Sequence, residues 1–209
     1  DTSIWIKNRL NTVVSNILFG LILLFFALYL FINLRVATVI AMGIPTSFVI
    51  AAVYFYLSGY TINMISLVGV LIAIGIVVDD AIVVSENIQQ HIEEGHSPKE
   101  AAIIGAKEMI KPVTVASLTT LFSFLPVLLI SGTMGEVMKL IPIALSALVV
   151  ASLIESFVFL PIHAAHVLKS GSKVTSWEKA NAVYNKIIHF FMNWKKTFIV
   201  IFIIIVPFL

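Results

Sequence analysis

The sequence predicts an all-α integral membrane protein: a bundle of five full transmembrane helices, the start of a sixth, and an amphipathic linker helix. Three observations carry that prediction. The chain is 60% hydrophobic and only 11% charged, with a mean hydropathy of +1.07, whereas soluble domains carry about 25% charged residues. Five apolar segments, 13–33, 36–57, 62–84, 113–130 and 140–160, are each long enough to cross ~30 Å of hydrocarbon at ~1.5 Å per residue, the fourth only just. Apolar and polar residues do not alternate, so a β-barrel does not fit, and a lipid-facing backbone that satisfies its own hydrogen bonds is helical. The same composition excludes an ordinary cytosolic enzyme and a disordered tail. A net charge of +2 offers no basic footprint for nucleic acid. The absence of cysteine excludes disulfide frameworks, iron–sulfur clusters and cysteine zinc sites.

Each connector follows from its residues. Asn33-Leu34-Arg35 and the uncharged Ser58-Gly59-Tyr60 predict tight turns. Residues 86–111 read as a long polar connector holding a short helix. Its start is the capping box Ser97-Pro98-Lys99-Glu100, with Pro98 at the first helical position, and it runs to about Met109. Ser131-Gly132-Thr133-Met134-Gly135 reads as a turn before Glu136. Residues 169–196 form the last connector, opened by a second capping box, Thr175-Ser176-Trp177-Glu178. Beyond it Trp177, Ala180, Tyr184, Ile187, Ile188 and Phe191 recur at helical spacing, which predicts a linker helix lying flat on the membrane. It serves either as a linker resting on lipid or as a docking element. The predicted domains are therefore a bundle over 1–168, the linker over 169–196 and the start of a further helix over 197–209. A chain that opens on Asp1 without a signal-peptide layout and stops inside the apolar run 198–209 reads as part of a longer polypeptide.

Orientation follows the basic residues. One side holds Arg35, Lys99, Lys107, Lys111, Lys169, Lys173, Lys179, Lys186, Lys195 and Lys196; the other holds Lys7, Arg9 and Lys139. This asymmetry puts the long connectors in the cytoplasm and the amino terminus outside.

The informative residues are acids inside apolar segments. Asp79 and Asp80 lie in Gly75-Ile76-Val77-Val78-Asp79-Asp80-Ala81-Ile82-Val83-Val84. The segment's polar flanks, Asn63 and Glu86, put its midpoint near Ile74 or Gly75, so Asp79 sits ~7 Å from the bilayer centre. A carboxylate there costs at least ~2.5 kcal/mol. Burial and mutual repulsion both disfavour two ionised carboxylates side by side. A carboxyl that gains and loses a proton within the membrane is what a proton-coupled machine requires. Neighbours on a helix point ~100° apart, so the two acids need partners on different helices or a polar cavity. Glu155, in Ala151-Ser152-Leu153-Ile154-Glu155-Ser156, is a third buried acid at nearly the depth of Asp79; it serves either the relay or helix packing. Thr114, Ser117, Thr120 and Ser123, each three apart, read as one polar stripe that relays protons, holds water or joins helices. Gly69 and Ala73 form a small-xxx-small pair for close helix approach, and Gly75 is placed with them.

No catalytic residue is predicted: the chain has no nucleophile elbow, phosphate loop or metalloprotease helix. No metal site is predicted either. His163 and His166 are i,i+3 without a visible third ligand, and Met134 and Met138 read as apolar filling.

Gly75-x-x-x-Asp79-Asp80-Ala81-Ile82-Val83-Val84-x-Glu86-Asn87 resembles the fourth-helix signature of the resistance–nodulation–cell division (RND) transporters. Asp1-Thr2-Ser3 resembles the re-entry from their outer porter domain. Gly132-x-x-Gly135-Glu136 resembles the turn between their fifth and sixth helices, and Leu160-Pro161-Ile162-His163-Ala164-Ala165-His166 the end of the sixth. The resemblance covers essentially the whole chain, as helices two to six, the linker helix and the start of helix seven. It implies proton-driven efflux from a multi-pass protein of the bacterial inner membrane, with Asp79 and Asp80 in the proton relay. It also implies a second half of the polypeptide with a lysine in a tenth helix, and a homotrimer with a periplasmic adaptor and an outer-membrane channel. Protons are the coupling ion and no other cofactor is expected. The double aspartate resembles the hydrophobe and amphiphile exporters, since metal exporters tend to have Asp-Ala there. Two other readings stand beside it: a five-helix lipid-binding regulatory module akin to sterol-sensing domains, which would not move protons, and an RND-related protein-export accessory.

Overall fold

The computed structural model describes residues 2–61, 63–169 and 178–205. The chain forms two compact units, Asp1–Lys173 and Val174–Leu209. The described residues are almost entirely helical and contain no strand. Four helical runs among them are long and apolar enough to cross a membrane: Leu34–Leu57, Ile65–Glu93, Pro98–Leu128 and Gly132–Val167. A shorter apolar stretch, Leu18–Leu30, accompanies them.

In the first unit, α1 (Thr2–Phe31) runs into a break at Ile32 and Asn33. The Asn33 side chain then accepts the Val36 N–H at 2.8 Å and starts α2 (Leu34–Leu57). The second turn uses Gly59, whose φ of 71° lies in the left-handed region that favours glycine. Asn63 starts α3 (Met64–Glu93) by accepting the Ile65 and Ser66 N–H groups, while the Ser66 hydroxyl accepts the Asn63 N–H at 2.8 Å. The predicted box at Ser97 also forms: the Glu100 carboxylate accepts the Ser97 N–H at 3.2 Å and Pro98 opens α4 (Pro98–Leu128).

Four stretches differ from the expected ones. The long connector over 86–111 contracts to a turn at 94–97, because α3 continues to Glu93 and α4 already begins at Pro98. Polar residues after 85 mark where the helix leaves hydrocarbon and not where it ends; the 30 residues of α3 span ~45 Å against ~30 Å of bilayer core. The short helix expected to stop near Met109 and the segment expected at 113–130 are one helix, with Pro112 inside it. Proline removes a single donor, and packing overrides that loss: Ala101, Ala102, Gly105 and Ala106 before it and Val113 and Ser117 after it are all buried. The turn expected at 131–135 is mostly helical: after Gly132, with φ 82°, the chain forms α5 (Gly132–Met138). The segment expected at 140–160 comprises α6 (Leu140–Ile154), a π-helical turn (Glu155–Phe159) and α7 (Leu160–Val167).

Helix α3 is central. It packs most extensively on α6, then on α4 and α2. The interior holds two apolar clusters. One gathers Val36, Ile40, Ile44, Val84, Ile88 and Leu160; the other gathers Ala51, Ala73, Val77, Leu145, Leu148 and Val149. Between them along α2, α3 and the α6–π run lie the buried polar residues Ser47, Asp80, Ser152, Glu155 and Ser156. Apolar side chains at Phe19, Ile22, Phe26, Val49, Val53 and Phe122 point outward, as lipid-facing helices require.

The second unit contains α8 (Glu178–Asn193) and α9 (Lys195–Ile205). Phe191 stacks on Phe198 with ring centroids 4.6 Å apart, closing the bend between them. Tyr184, Ile187, Ile188 and Phe191 of the predicted stripe are exposed in the chain. Residues 175–177 of the second capping box, Trp177 among them, and residues 206–209 of the terminal run lie outside the described residues.

Candidate functional site

The polar layer between the two apolar clusters is built around Asp80. Its side chain projects from α3 toward both α4 and α6 and is only 6% exposed. The Ser117 hydroxyl of α4 donates to Asp80 Oδ2 at 3.3 Å, and the Ser152 hydroxyl of α6 donates to the same oxygen at 3.1 Å. Three helices thus converge on one carboxylate oxygen. Hydrogen bonds to a charged group contribute roughly 1.5–3 kcal/mol each, which offsets part of the cost of burying it. A serine hydroxyl donates to a carboxylate and, after rotation, accepts from a carboxylic acid. The pair therefore suits both protonation states of Asp80.

Asp79 occupies a different environment. It is exposed on the surface of the chain and lines an open groove of about 420 Å³ between α1 and α3, together with Asn16, Gly20, Gly75 and Val78. The ~100° between helix neighbours places one acid in the interior and the other at the groove. Asp80 thus meets two other helices, whereas Asp79 borders an open groove whose remaining lining is mostly apolar, with Leu21, Leu24, Leu71 and Ile74.

Glu155 opens the π-helical turn and is 1% exposed. Such turns recur at functional sites because the extra residue re-aims side chains. The Glu155 carboxyl packs against Gly43 of α2, where a Cβ would collide with it, its Cδ lying 2.7 Å from the Cβ position. Glu155 Oε1 and the neighbouring Ser156 Oγ are buried without a hydrogen-bond partner. Ser152 lies one helical turn before Glu155, so the acid sits ~4.5 Å along the helix from the level of Asp80.

The expected stripe on α4 is not one face. A step of three residues turns the helix by −60°, so Ser117 and Ser123 differ by ~120°. Ser117 is buried on Asp80, while Ser123 is exposed and donates to the Thr119 carbonyl at 2.8 Å. Thr120 donates to the Ala116 carbonyl at 3.2 Å, and Thr114 is half-buried. Gly69 faces α6, where a Cβ would lie 3.0 Å from that of Ala144, and Ala73 is fully buried. Gly75 has open space around it and borders the groove instead. His166 Nδ1 bonds the Ile162 carbonyl at 2.7 Å, and Met134 is exposed.

Two residues of the layer carried no signal of their own in the sequence. Ser152 reads as a helix-joining hydroxyl, and Gly43 as a common small residue. The available clue was register: Ile40, Gly43, Ser47 and Ala51 follow one face of α2, and Ser152 lies i−3 from Glu155.

A family model described as the AcrB/AcrD/AcrF family matches residues 1–208. The chain is 36% identical over 171 residues to the multidrug resistance protein MdtC of Escherichia coli O139:H28 (strain E24377A / ETEC), covering 81% of this chain and 17% of that protein. It is 36% identical over 172 residues to the protein of the same name from Klebsiella pneumoniae (strain 342), covering 82% and 17%. For that of Salmonella heidelberg (strain SL476) the identity is 35% over 180 residues, covering 86% and 18%. The chain therefore spans less than a fifth of the length of the curated relatives it matches.

Proposed function

The chain belongs to the AcrB/AcrD/AcrF family of the RND superfamily, and from that premise we propose that it is the proton-relay portion of a proton/substrate antiporter. Asp80 carries the exchangeable proton. Asp79, one residue away at the groove, hands protons to it or takes them from it. Glu155 is a further acid of the same layer. The observation that carries this reading is the convergence of the Ser117 and Ser152 hydroxyls on Asp80 Oδ2 inside a three-helix contact. A buried carboxyl with adaptable hydroxyls on two other helices links its proton occupancy to how those helices pack. Protonation weakens the two donated hydrogen bonds, and α4 and α6 are then free to shift against α3.

The curated relatives are named multidrug resistance proteins, and the double aspartate is the pattern of hydrophobe and amphiphile exporters. The substrate class proposed is accordingly amphiphilic drugs. The setting proposed is a bacterial inner membrane, in a homotrimer with a periplasmic adaptor and an outer-membrane channel.

The test is export by a full-length transporter carrying this sequence, measured with Asp79→Asn and Asp80→Asn introduced separately. Both variants should reach the membrane at normal abundance and lose drug export together with substrate-dependent collapse of a pH gradient in vesicles. Normal export by either variant removes that aspartate from the relay.

A further inference from the structure

At the turn between α3 and α4, away from the buried acids, His91, Glu94 and His96 place one ligand atom each within 4.8 Å of one another. His91 lies in the last turn of α3, Glu94 caps that helix, and Gly95, with φ 101°, reverses the chain so that His96 returns over His91. The two imidazole rings meet edge to face with centroids 5.5 Å apart.

The hydrogen bonds around this cluster commit every atom except those that face its centre. His91 Nε2 is 2.9 Å from Glu108 Oε2 of α4, so that nitrogen carries a proton, and in the neutral ring the lone pair is on Nδ1. Asn87 Nδ2 donates to the same Glu108 oxygen at 3.1 Å and fixes its position. His96 Nδ1 lies 3.2 Å from the His91 carbonyl and donates to it, which leaves the His96 lone pair on Nε2. Gln90 Nε2 donates to Glu94 Oε1 at 3.0 Å, which leaves Oε2 to face His91 Nδ1 at 3.2 Å. His91 Nδ1 is itself buried and lacks a hydrogen-bond partner. The 3.2 Å between His91 Nδ1 and Glu94 Oε2 is held by a shared cation, a proton when the ring is an imidazolium and a metal ion when it is neutral.

We propose that His91 Nδ1, Glu94 Oε2 and His96 Nε2 form a binding site for a divalent cation of the zinc class at the α3–α4 turn. Two imidazoles and one carboxylate are a ligand set suited to Zn²⁺, with water completing a tetrahedron. Glu108 and the His91 carbonyl are the outer partners that fix the tautomers of ligating histidines. The carbonyl-rich end of α3 adds favourable potential for a cation. Because Glu108 belongs to α4 and the ligands to α3 and the turn, a bound ion clasps the two helices together beyond the membrane core.

The experiment is a Zn²⁺ titration of the purified full chain in lipid nanodiscs against a competing fluorescent chelator, with ¹⁵N-histidine spectra recorded in parallel. One equivalent should bind, and the His91 Nδ1 resonance should shift. His96→Ala and Glu94→Gln alter exposed side chains of the turn and should each weaken binding at least roughly 10-fold; Glu108→Gln should weaken it roughly 10- to 100-fold. His163→Ala with His166→Ala should leave this binding unchanged. Absence of stoichiometric binding overturns the proposal. So does Zn²⁺ affinity that survives His96→Ala combined with Glu94→Gln. A His91 ring that keeps both nitrogens protonated through the titration overturns it as well, since a proton then occupies the position assigned to the metal.

Discussion

The inner and outer faces of α3 carry the same kinds of residue in opposite settings. Inward lie Gly69, Ala73, Val77, Asp80, Val84 and Ile88, all buried; outward lie Leu71, Gly75, Asp79, Val83 and Glu86, all exposed. Each face has a glycine and an aspartate. The inner glycine admits α6, and the inner aspartate is bonded from α4 and α6. The outer glycine meets nothing, and the outer aspartate borders an open groove. Residue type alone therefore does not assign a role on a membrane helix; the ~100° between neighbours does.

The largest effect that tests this contrast comes from the glycines. Gly69→Leu forces a side chain into the Ile141 carbonyl and Ala144. It should destabilise the bundle by about 3 kcal/mol, at the upper end of overpacking penalties. Gly75→Leu should cost nothing and gain up to about 1 kcal/mol, since Gly75 lies within α3 with open space around it and leucine is the better helix former. Denaturant melts of the two variants in the same detergent compare them directly. Equal costs would mean that the outer face is covered in solution and that the contrast between the faces is wrong.

The hydroxyls provide a smaller effect. Ser117→Ala or Ser152→Ala removes one donor from a buried carboxyl and should cost about 2 kcal/mol each. The two effects should be non-additive, because both donors share Asp80 Oδ2. Ser123→Ala should stay within about 0.5 kcal/mol, since that hydroxyl is exposed and bonds its own helix. A double-mutant cycle on Ser117 and Ser152 that proves additive would show that the two do not act through the same oxygen.

Much of the architecture was readable from composition and spacing. Apolar runs locate helices because lipid leaves the backbone no other way to satisfy its hydrogen bonds. The acids stood out because charges in such runs are costly. Caps at Asn63 and Ser97 mark true helix starts because their side chains are committed to backbone N–H groups. What the sequence concealed depends on tertiary contact. Pro112 reads as a break, yet buried alanines and glycine on one side and Val113 and Ser117 on the other carry the helix through it. Residues 86–93 read as connector because their polarity marks where the helix leaves hydrocarbon, while the helix itself continues to Glu93. The spacing of Thr114, Ser117, Thr120 and Ser123 suggested one face, but three is not the helical period. Ser152 and Gly43 became visible only once α6 and α2 were seen to close on the acids.

The smallest effect probes the inner face where it continues past α3. Gly43 of α2 lets the Glu155 carboxyl lie flat on its backbone, and a Cβ there would collide with Oε1 while Oε2 lies 2.9 Å away. The obstructed group is the end of a flexible side chain, so Gly43→Ala should cost about 1 kcal/mol, at the lower end of overpacking penalties. Glu155→Asp shortens the acid by one methylene and withdraws it from the added methyl. The double variant Gly43→Ala/Glu155→Asp should then recover at least about 0.5 kcal/mol relative to the sum of the single changes, the coupling expected of residues in contact. Thermal melts of the four proteins provide that cycle. A coupling of zero would place the Glu155 carboxyl away from Gly43, and the polar layer would then end at Ser152.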